Sequence, residues 1–413
     1  MKLSAVSAPF DVARVREDFP ILREKMHGKP LVYFDNAATS QKPHAVIDRL
    51  VRYYTTENSN VHRAFYQLSE KATEAYEQSR HKVREYLNAR SESEIIYVRG
   101  ATEGINLVAA SWGRKFLQEG DEVIVSAMEH HANMVPWQLV CAEKGAKLRY
   151  IPVNENGELC MADYKALFNE RTRFVSVVYV SNSIGTINPV NDLISEAKKY
   201  HIPILVDGCQ AAPHLPVDVR ALDCDFFVFS GHKTFAPTGI GVLYGKEKWL
   251  EEMDPYQSGG DMIRTVTFEG TTFNDLPHKF EAGTPHIAGA VGLAEAIAYV
   301  QGLGRDGIRE YEETLLNYGR EALAGVEGIR IIGTAKDKIP VFSFVVEGTH
   351  PLDVGTMLDF EGVAVRTGNH CTQPLLSLFD VSATCRASLA FYNTRAEIDH
   401  FVASLKKVVG KLR

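Results

Sequence analysis

The chain has 413 residues, 45% of them hydrophobic and 23% charged, a balance typical of a folded globular protein with a large core. Its 45 lysines and arginines face 52 acidic residues, and the net charge of −7 makes nucleic acid and anionic membranes poor candidate partners. The length favours one large domain and a smaller one, with a cleft between them.

The N-terminal residues lack a sustained apolar segment, and no apolar run is long enough to span a bilayer. We therefore expect a soluble, cytoplasmic protein. Six cysteines occur without a CxxC pair or the spacing of a metal-binding finger, at positions 141, 160, 209, 224, 371 and 385. This pattern predicts no structural metal and no disulfide framework, which suits a reducing compartment.

Seven apolar runs rich in β-branched residues predict seven strands, at 94–98, 121–127, 146–153, 173–182, 202–208, 225–231 and 241–245. Helix-compatible segments separate most of them, which predicts an α/β protein with a mostly parallel sheet. Ligands of such sheets bind beyond the carboxyl ends of the strands. Five clusters follow predicted strands and are expected to meet at one edge: RGATEG, MEHHAN, SNSIGT, DGCQ and SGHK.

The C-terminal part has a different pattern. Two long helical segments over 287–325 precede short strand candidates and a helical tail. This predicts a smaller α+β domain made of residues 1–30 and 301–413, beside a large ligand-binding domain of residues 31–300.

Lys233 lies between an apolar run and a glycine-rich turn, in SGHKTFAPTG. An isolated lysine in such a place is usually a surface side chain whose stem lies along the strand end. Asp207 changes this interpretation, because an acid at the end of the preceding apolar strand favours a cationic partner. Enzymes that use pyridoxal 5′-phosphate (PLP) supply a lysine for the Schiff base and an acid for the pyridine nitrogen. Lys233 and Asp207 match these two roles.

The phosphate of such a cofactor favours N–H groups at a helix start together with hydroxyl and imidazole donors. Thr102 lies at a strand-to-helix turn, and Ser230 and His232 flank Lys233. Each signal alone is weak, since Thr102 is equally well a helix cap and His232 a structural histidine. In MEHHAN, two adjacent histidines in a turn point apart and lack an HExxH pattern, so His130 stacking on the cofactor ring is preferred to a metal site.

Nine motifs in this order resemble the type II cysteine desulfurases, the SufS group, which are PLP enzymes of the class V aminotransferase fold: YFDNAATSQKP, NVHRAFYQLS, RGATEGINLVA, MEHHANMVPW, VSNSIGTINPV, VDGCQAAPH, SGHKTFAPTGIGVLYG, FEAGTP and RTGNHCTQPLL. The resemblance implies the PLP-dependent transferase fold type I. It also implies removal of sulfur from L-cysteine, giving L-alanine and a persulfide on Cys371. An acceptor protein of the SufE or SufU kind would then carry the sulfur to iron–sulfur cluster assembly.

The resemblance also implies roles for individual residues. Lys233 forms the Schiff base, Asp207 binds the pyridine nitrogen, and His130 stacks on the ring and assists proton transfer. Further cofactor contacts are implied for Ala101, Thr102, Asn182, Gln210, Ser230 and His232. A threonine of the other subunit, Thr284 in this numbering, completes the phosphate site, which implies a homodimer.

Substrate contacts are implied for Arg386, as the partner of the carboxylate, and for Asn182, His62 and Arg366. A structural salt bridge is the alternative role for Arg386. Cys371 is the implied nucleophile, although taken alone it could be a loop thiol without a role. A thiolate that must reach the substrate sulfur needs an exposed loop and nearby positive charge. Many relatives have a second histidine where this chain has Asn369, which leaves the loop contacts of Cys371 open.

Two alternatives stay open. Selenocysteine lyase, or another class V PLP lyase, would share the fold and the lysine–aspartate pair. A catalytically idle scaffold that binds a sulfur-transfer partner is the other, and the presence of both Lys233 and Cys371 argues against it. A nicotinamide-dependent dehydrogenase is disfavoured because no GxGxxG motif follows an early strand.

Overall fold

The structure is a computed structural model and describes residues 10–412. Its largest sheet contains all seven expected strands: β1 (Ile95–Val98), β2 (Glu122–Ser126), β3 (Lys147–Ile151), β4 (Thr172–Val178), β5 (Ile204–Asp207), β6 (Phe226–Ser230) and β7 (Gly241–Gly245). Their spatial order is β1-β7-β6-β5-β4-β2-β3. β7 is antiparallel to both neighbours, and the other pairings are parallel. The predicted mostly parallel seven-stranded sheet is confirmed.

The sequences of the central strands explain their position. Every residue of β5 and β6 is buried, as expected for parallel strands with helices on both faces. β3 lies at the edge of the sheet and is largely exposed, which fits its charged and polar residues. The longer helices of this part are His44–Arg52, Gln67–Leu87, Ala101–Val108, Val135–Lys144, Val190–Lys199 and Ile287–Leu303.

Local signals set the ends of these helices. Val135–Lys144 has a proline in its first turn and ends at Gly145, whose φ of +68° is the left-handed conformation of a helix C-cap. Gln67–Leu87 ends in the same way at Asn88. Ile287–Leu303 is apolar on most sides and packs against both His44–Arg52 and Gln67–Leu87.

A second, antiparallel sheet forms the C-terminal part. Its strands are β8 (Ile329–Ile332), β9 (Val341–Val346), β10 (Arg366–Gly368) and β11 (Thr384–Ser388), in the order β8-β9-β11-β10. The sheet shares a core with helices Arg305–Ala324, Pro351–Asp359 and Arg395–Leu412. The expected α+β pattern is present, but β11 was not among the predicted strands, because Thr-Cys-Arg-Ala-Ser has no apolar run.

The N-terminal segment lies between the two parts. The ring of Phe19 contacts Phe235 beyond the large sheet, at 6.3 Å, and Phe391 of the C-terminal part, at 6.0 Å. Strand Val32–Tyr33 pairs with Val363–Ala364. Residues on both sides of position 31 therefore contact the C-terminal part. The predicted domain boundaries stay predictions, and residues 1–9 of the predicted small domain lie outside the described residues.

The helices and the cysteines can be compared with the sequence-based expectations on membrane spans and disulfides. Within residues 10–412, no single helix has the length and apolar character needed to cross a membrane, and the pair Ile287–Leu303 and Arg305–Ala324 reaches it only jointly, across a 77° bend. All six cysteines lie within the described chain as free thiols.

We predict that a methyl group at Gly241 destabilises the protein. A Cβ atom there would lie 2.6 Å from the Gly100 Cα atom and 2.8 Å from the Phe229 carbonyl oxygen, and backbone atoms cannot rotate away. Gly241→Ala should lower the free energy of unfolding by about 1–3 kcal/mol in urea denaturation. Gly302→Ala is the control, because a Cβ atom at Gly302 meets nothing within 4 Å. Equal stability of the two variants would contradict the close contact.

Candidate active site

The residue clusters that follow the strands meet at one edge of the large sheet, around a cavity of about 580 Å³. The C-terminal part closes the cavity from the other side. Twelve of the fourteen residues predicted for the site line it: Ala101, Thr102, His130, Asn182, Asp207, Gln210, Ser230, His232, Lys233, Arg366, Cys371 and Arg386. Residues far apart in the sequence are therefore brought together as the strand-end rule predicts.

Lys233 and Asp207 line the cavity from neighbouring strands. β6 leads directly into the turn Gly231–Lys233, and Asp207 is the last residue of β5, the central strand. Asp207 is only 4% exposed, and its Oδ1 atom accepts a hydrogen bond from the N–H of Cys209 at 3.0 Å. Burial raises the pKa of Asp207, and this hydrogen bond and the charge of Lys233 act in the opposite direction. A cation placed beside Asp207 would stabilise its ionised form.

A helix start forms another wall of the cavity. Helix Ala101–Val108 follows β1, and Gly100, its N-cap residue, has no side chain to accept hydrogen bonds from the first turn. The N–H of Ala101 donates to Ser230 Oγ at 2.9 Å. The Ser230 hydroxyl therefore keeps its own proton available for donation. Free N–H groups at a helix start, next to a hydroxyl donor, suit a phosphate.

Two histidines at the cavity are neutral at neutral pH. Burial, together with the charge of Lys233, lowers the pKa of His130 to about 3 and that of His232 to about 4. The Nδ1 atom of His130 accepts a hydrogen bond from the N–H of Ala132 at 3.0 Å, so the ring proton lies on Nε2. Within the described residues, no group of three or more His, Cys, Asp or Glu side chains could hold a metal ion.

Arg386 reaches the cavity from β11 and is only 2% exposed. It donates from Nη1 to the carbonyl oxygen of Asn182 at 2.8 Å and from Nη2 to Asp35 Oδ1 at 3.3 Å. Burial lowers its pKa to about 10, so it stays charged at neutral pH. Asp35 also accepts from Arg366, at 2.7–3.0 Å. Sequence reasoning missed Asp35, whose arginine partners lie 331 and 351 positions away.

Cys371 lies at the cavity with an exposed side chain, on the turn that follows β10. Arg366 and Arg386 interact electrostatically with it. Asn182 connects this turn to the large sheet, because its Nδ2 atom donates to the carbonyl oxygen of His370 at 2.8 Å. The predicted nucleophile is thus exposed and has two cations nearby.

The other two predicted site residues lie elsewhere. His62 is hydrogen-bonded to Glu77 at 2.7 Å, and its ring lies 5.2 Å from that of His278. Thr284 lines a separate cavity of about 400 Å³. Neither residue lines the main cavity of its own chain. Conversely, Cys209 lines that cavity but was not predicted to do so, because its sequence context gives no separate signal for a thiol.

Comparison with known proteins identifies the family of this chain. The family described as aminotransferase class-V matches residues 32–401. The chain belongs to the aminotransferase class-V family. Its structure resembles that of the cysteine desulfurase CsdA from Escherichia coli, with a TM-score of 0.91 and 38% sequence identity, covering 98% of this chain and 100% of that one. The predicted family and fold type I are confirmed, and the type II subgroup stays a prediction.

Two curated relatives carry the name cysteine desulfurase. The protein from Synechococcus elongatus is 52% identical over 98% of this chain, which spans 65% of that relative's length. A probable cysteine desulfurase from Synechocystis is 50% identical, covering 98% of this chain and 97% of the relative. The chain thus spans less than two thirds of the length of some curated relatives, at 58–65% for three of them.

Membership of the class-V family implies PLP, and the residues of the cavity fit this group. Asp207 is a buried acid suited to a pyridine nitrogen, and Lys233 offers an amine. The start of helix Ala101–Val108 suits a phosphate. The Oδ1 atom of Asn182 is buried and has no hydrogen-bond partner in the described part of the chain, as expected for an atom that faces a ligand.

We predict a pH-dependent loss of stability that comes from His370. This residue is 7% exposed, and burial, with the charges of Arg386 and Arg366, lowers its pKa to about 3. Between pH about 6.5 and 3, the unfolded chain binds a proton at His370 that the folded chain does not, so stability falls as the pH falls. From pH 7 to pH 5 this residue should remove about 2 kcal/mol.

The measurement is urea denaturation at both pH values for the wild type and His370→Gln. Glutamine keeps a polar group for Thr384, whose Oγ1 atom lies 2.8 Å from His370 Nε2. The variant should lose about 2 kcal/mol less on acidification. An identical loss in both proteins would show that His370 titrates normally in the folded state.

Proposed function

We propose that the protein is a PLP-dependent cysteine desulfurase, which converts L-cysteine to L-alanine and leaves a persulfide on Cys371. The observation that carries this proposal is an exposed cysteine at a cavity that Lys233 and Asp207 also line. A PLP enzyme that needs only proton transfer has no use for such a thiol. The names of relatives at 50–52% identity support the same activity.

When bound, PLP supplies an electron sink for negative charge at the substrate Cα atom. Arg386 is the proposed partner of the substrate carboxylate. Its planar guanidinium is held by Asn182 and Asp35, while its buried Nε atom has no partner within residues 10–412. Lys233 is the proposed Schiff-base lysine. Its amine and the neutral ring of His130 are the groups proposed to hold and move protons at the substrate.

In the proposed sulfur step, the thiolate of Cys371 attacks the substrate sulfur. A sulfur–sulfur bond forms as the carbon–sulfur bond of cysteine breaks, and the electron pair of the broken bond stays on carbon. Protonation of that carbon gives alanine, and the transferred sulfur stays on Cys371. Because Cys371 is exposed, an external thiol can then accept the sulfur.

We also propose that the enzyme belongs to the type II group and acts in the cytoplasm. Its sulfur would pass to an acceptor of the SufE or SufU kind and so to iron–sulfur cluster assembly. Selenocysteine lyase is the alternative activity. The variant Cys371→Ala distinguishes the two activities. If Cys371 is a desulfurase nucleophile, the variant should retain turnover of selenocysteine and lose release of sulfide from cysteine.

We expect mass spectrometry to find one added sulfur atom on Cys371 after the protein is incubated with PLP and L-cysteine. Alanine should be produced at the same time. Cys371→Ser should lose the added sulfur and at least about a hundredfold of the alanine formation rate, because it removes the nucleophile. Cys209→Ala is the matched control. Cys209 lines the same cavity, but burial raises its pKa to about 12, so it stays a thiol and should not carry sulfur. A persulfide on Cys209 instead of Cys371 would refute the assignment.

We propose that the active form is a homodimer in which Thr284 of one subunit completes the phosphate site of the other. Thr102, Ser230 and His232 also line a second, open cavity of about 550 Å³, through which a partner loop could reach them. Large apolar side chains such as Phe268 are fully exposed in the single chain. Both observations support a protein surface that another subunit covers.

A subunit-mixing experiment tests the shared site. Lys233→Ala and Thr284→Ala should each be weakly active alone. When they are co-expressed, a mixed dimer contains one site with both residues intact, and activity should return to roughly a quarter of the wild-type level. Analytical ultracentrifugation checks the dimer. Activity of the mixture no higher than that of the Thr284→Ala protein would contradict a shared site.

A further inference from the structure

The turn that carries Cys371 has an unusual backbone. His370 and Cys371 have φ values of +52° and +57°, in the left-handed region, although both have a Cβ atom. Two successive residues of this kind are unfavourable unless other contacts hold them. The chain must therefore supply contacts that keep this turn in place.

Asn369 supplies the contact inside the turn. Its Oδ1 atom accepts a hydrogen bond from the N–H of Cys371 at 2.9 Å. The N–H and the hydroxyl of Thr372 donate to the Asn369 carbonyl oxygen at 2.9 and 3.0 Å. An asparagine that bonds to the backbone two residues later is a common way to stabilise a tight turn. Asn369 thus fixes the backbone of the predicted nucleophile.

His131 joins the same turn to the large sheet. Its N–H donates to the carbonyl oxygen of Cys371 at 2.7 Å, and its Nε2 atom accepts from the N–H of Gln373 at 3.3 Å. Both hydrogen bonds lie just after the Cys371 Cα atom along the backbone. They connect the C-terminal part to the segment that follows β2.

The segment that contains His131 is also part of the cavity wall. His131 directly follows His130, whose ring lines the cavity and accepts from the N–H of Ala132. His130 is the N-cap of the short helix His131–Asn133, to which His131 and Ala132 belong. A single short segment therefore sets the position of the His130 ring and also that of the Cys371 turn.

We propose that His131 and Asn369 are positioning residues for Cys371. Asn369 fixes the turn, and His131 docks the turn onto the large sheet, so that the sulfur atom stays at the cavity. Neither side chain is assigned contact with the reacting atoms. The inference deepens the proposed desulfurase reaction and rests on it.

Hydrogen–deuterium exchange of the PLP-loaded protein without cysteine tests the structural half of the inference. His131→Ala and Asn369→Ala should each raise the exchange rate of residues 369–374 roughly tenfold, since each loses a hydrogen bond of the turn. His131→Gln and Asn369→Asp keep an acceptor and should exchange more like the wild type.

His350→Ala is the matched control. The Nδ1 atom of His350 also accepts a backbone N–H, that of Leu352 at 3.2 Å, but at the start of helix Pro351–Asp359. Its loss should raise exchange at that helix and leave the Cys371 turn unchanged. Unchanged exchange of the turn in both His131→Ala and Asn369→Ala would overturn the proposal.

Single-turnover persulfide formation tests the functional half. The single-turnover rate should fall on the order of tenfold in both alanine variants and should recover in His131→Gln and Asn369→Asp. The KM for cysteine, measured in steady-state turnover, should change by less than about twofold. A slower rate without faster exchange would also refute the proposal, because positioning acts through the turn. If the wild type forms no persulfide, the proposed function fails. The exchange comparison needs no turnover and separately decides whether these residues hold the turn.

Discussion

A carboxylate buried at the centre of an apolar sheet is the constraint on which the rest of the site depends. Asp207 ends the middle strand of seven, where burial opposes its negative charge. The hydrogen bond from the N–H of Cys209 and the charge of Lys233, on the turn that follows the adjacent strand, act against this penalty. A cation over the strand ends would stabilise the ionised acid further, and a protonated pyridine ring is such a cation. The strand order therefore brings an acid and an amine to one point of the sheet edge, an arrangement that suits PLP.

The C-terminal part supplies the groups that would meet a substrate. Arg386 and Cys371 belong to it, whereas the predicted cofactor residues belong to the large sheet. Asn182 connects the two sets, because its carbonyl oxygen accepts from Arg386 and its amide donates to His370. Contacts across the cleft thus set how far Arg386 and Cys371 lie from the predicted cofactor residues, and a shift between the two parts would change both distances together.

Sequence patterns predicted the large sheet well, because all its strands except β3 are almost entirely buried and appear as continuous apolar runs. The strand-end rule then located most of the site. β11 was not predicted because its five buried residues include Thr384, Arg386 and Ser388, whose side chains form hydrogen bonds with His370, Asn182 and Phe34. Asp35 escaped for the same reason. Local periodicity reports burial against a sheet, but it contains no information about a hydrogen bond between residues more than 300 positions apart.

His130 and His131 show what local sequence patterns cannot predict. Neighbouring residues in a turn point in different directions, which correctly separates His130 from His131, and the cavity explains only His130. The partner of His131 lies 242 positions away, on the turn of Cys371. Only the fold reveals that the segment presenting the His130 ring to the cavity also holds the backbone of the predicted nucleophile. A residue beside a recognisable site residue can thus serve the same site through a contact on its other side.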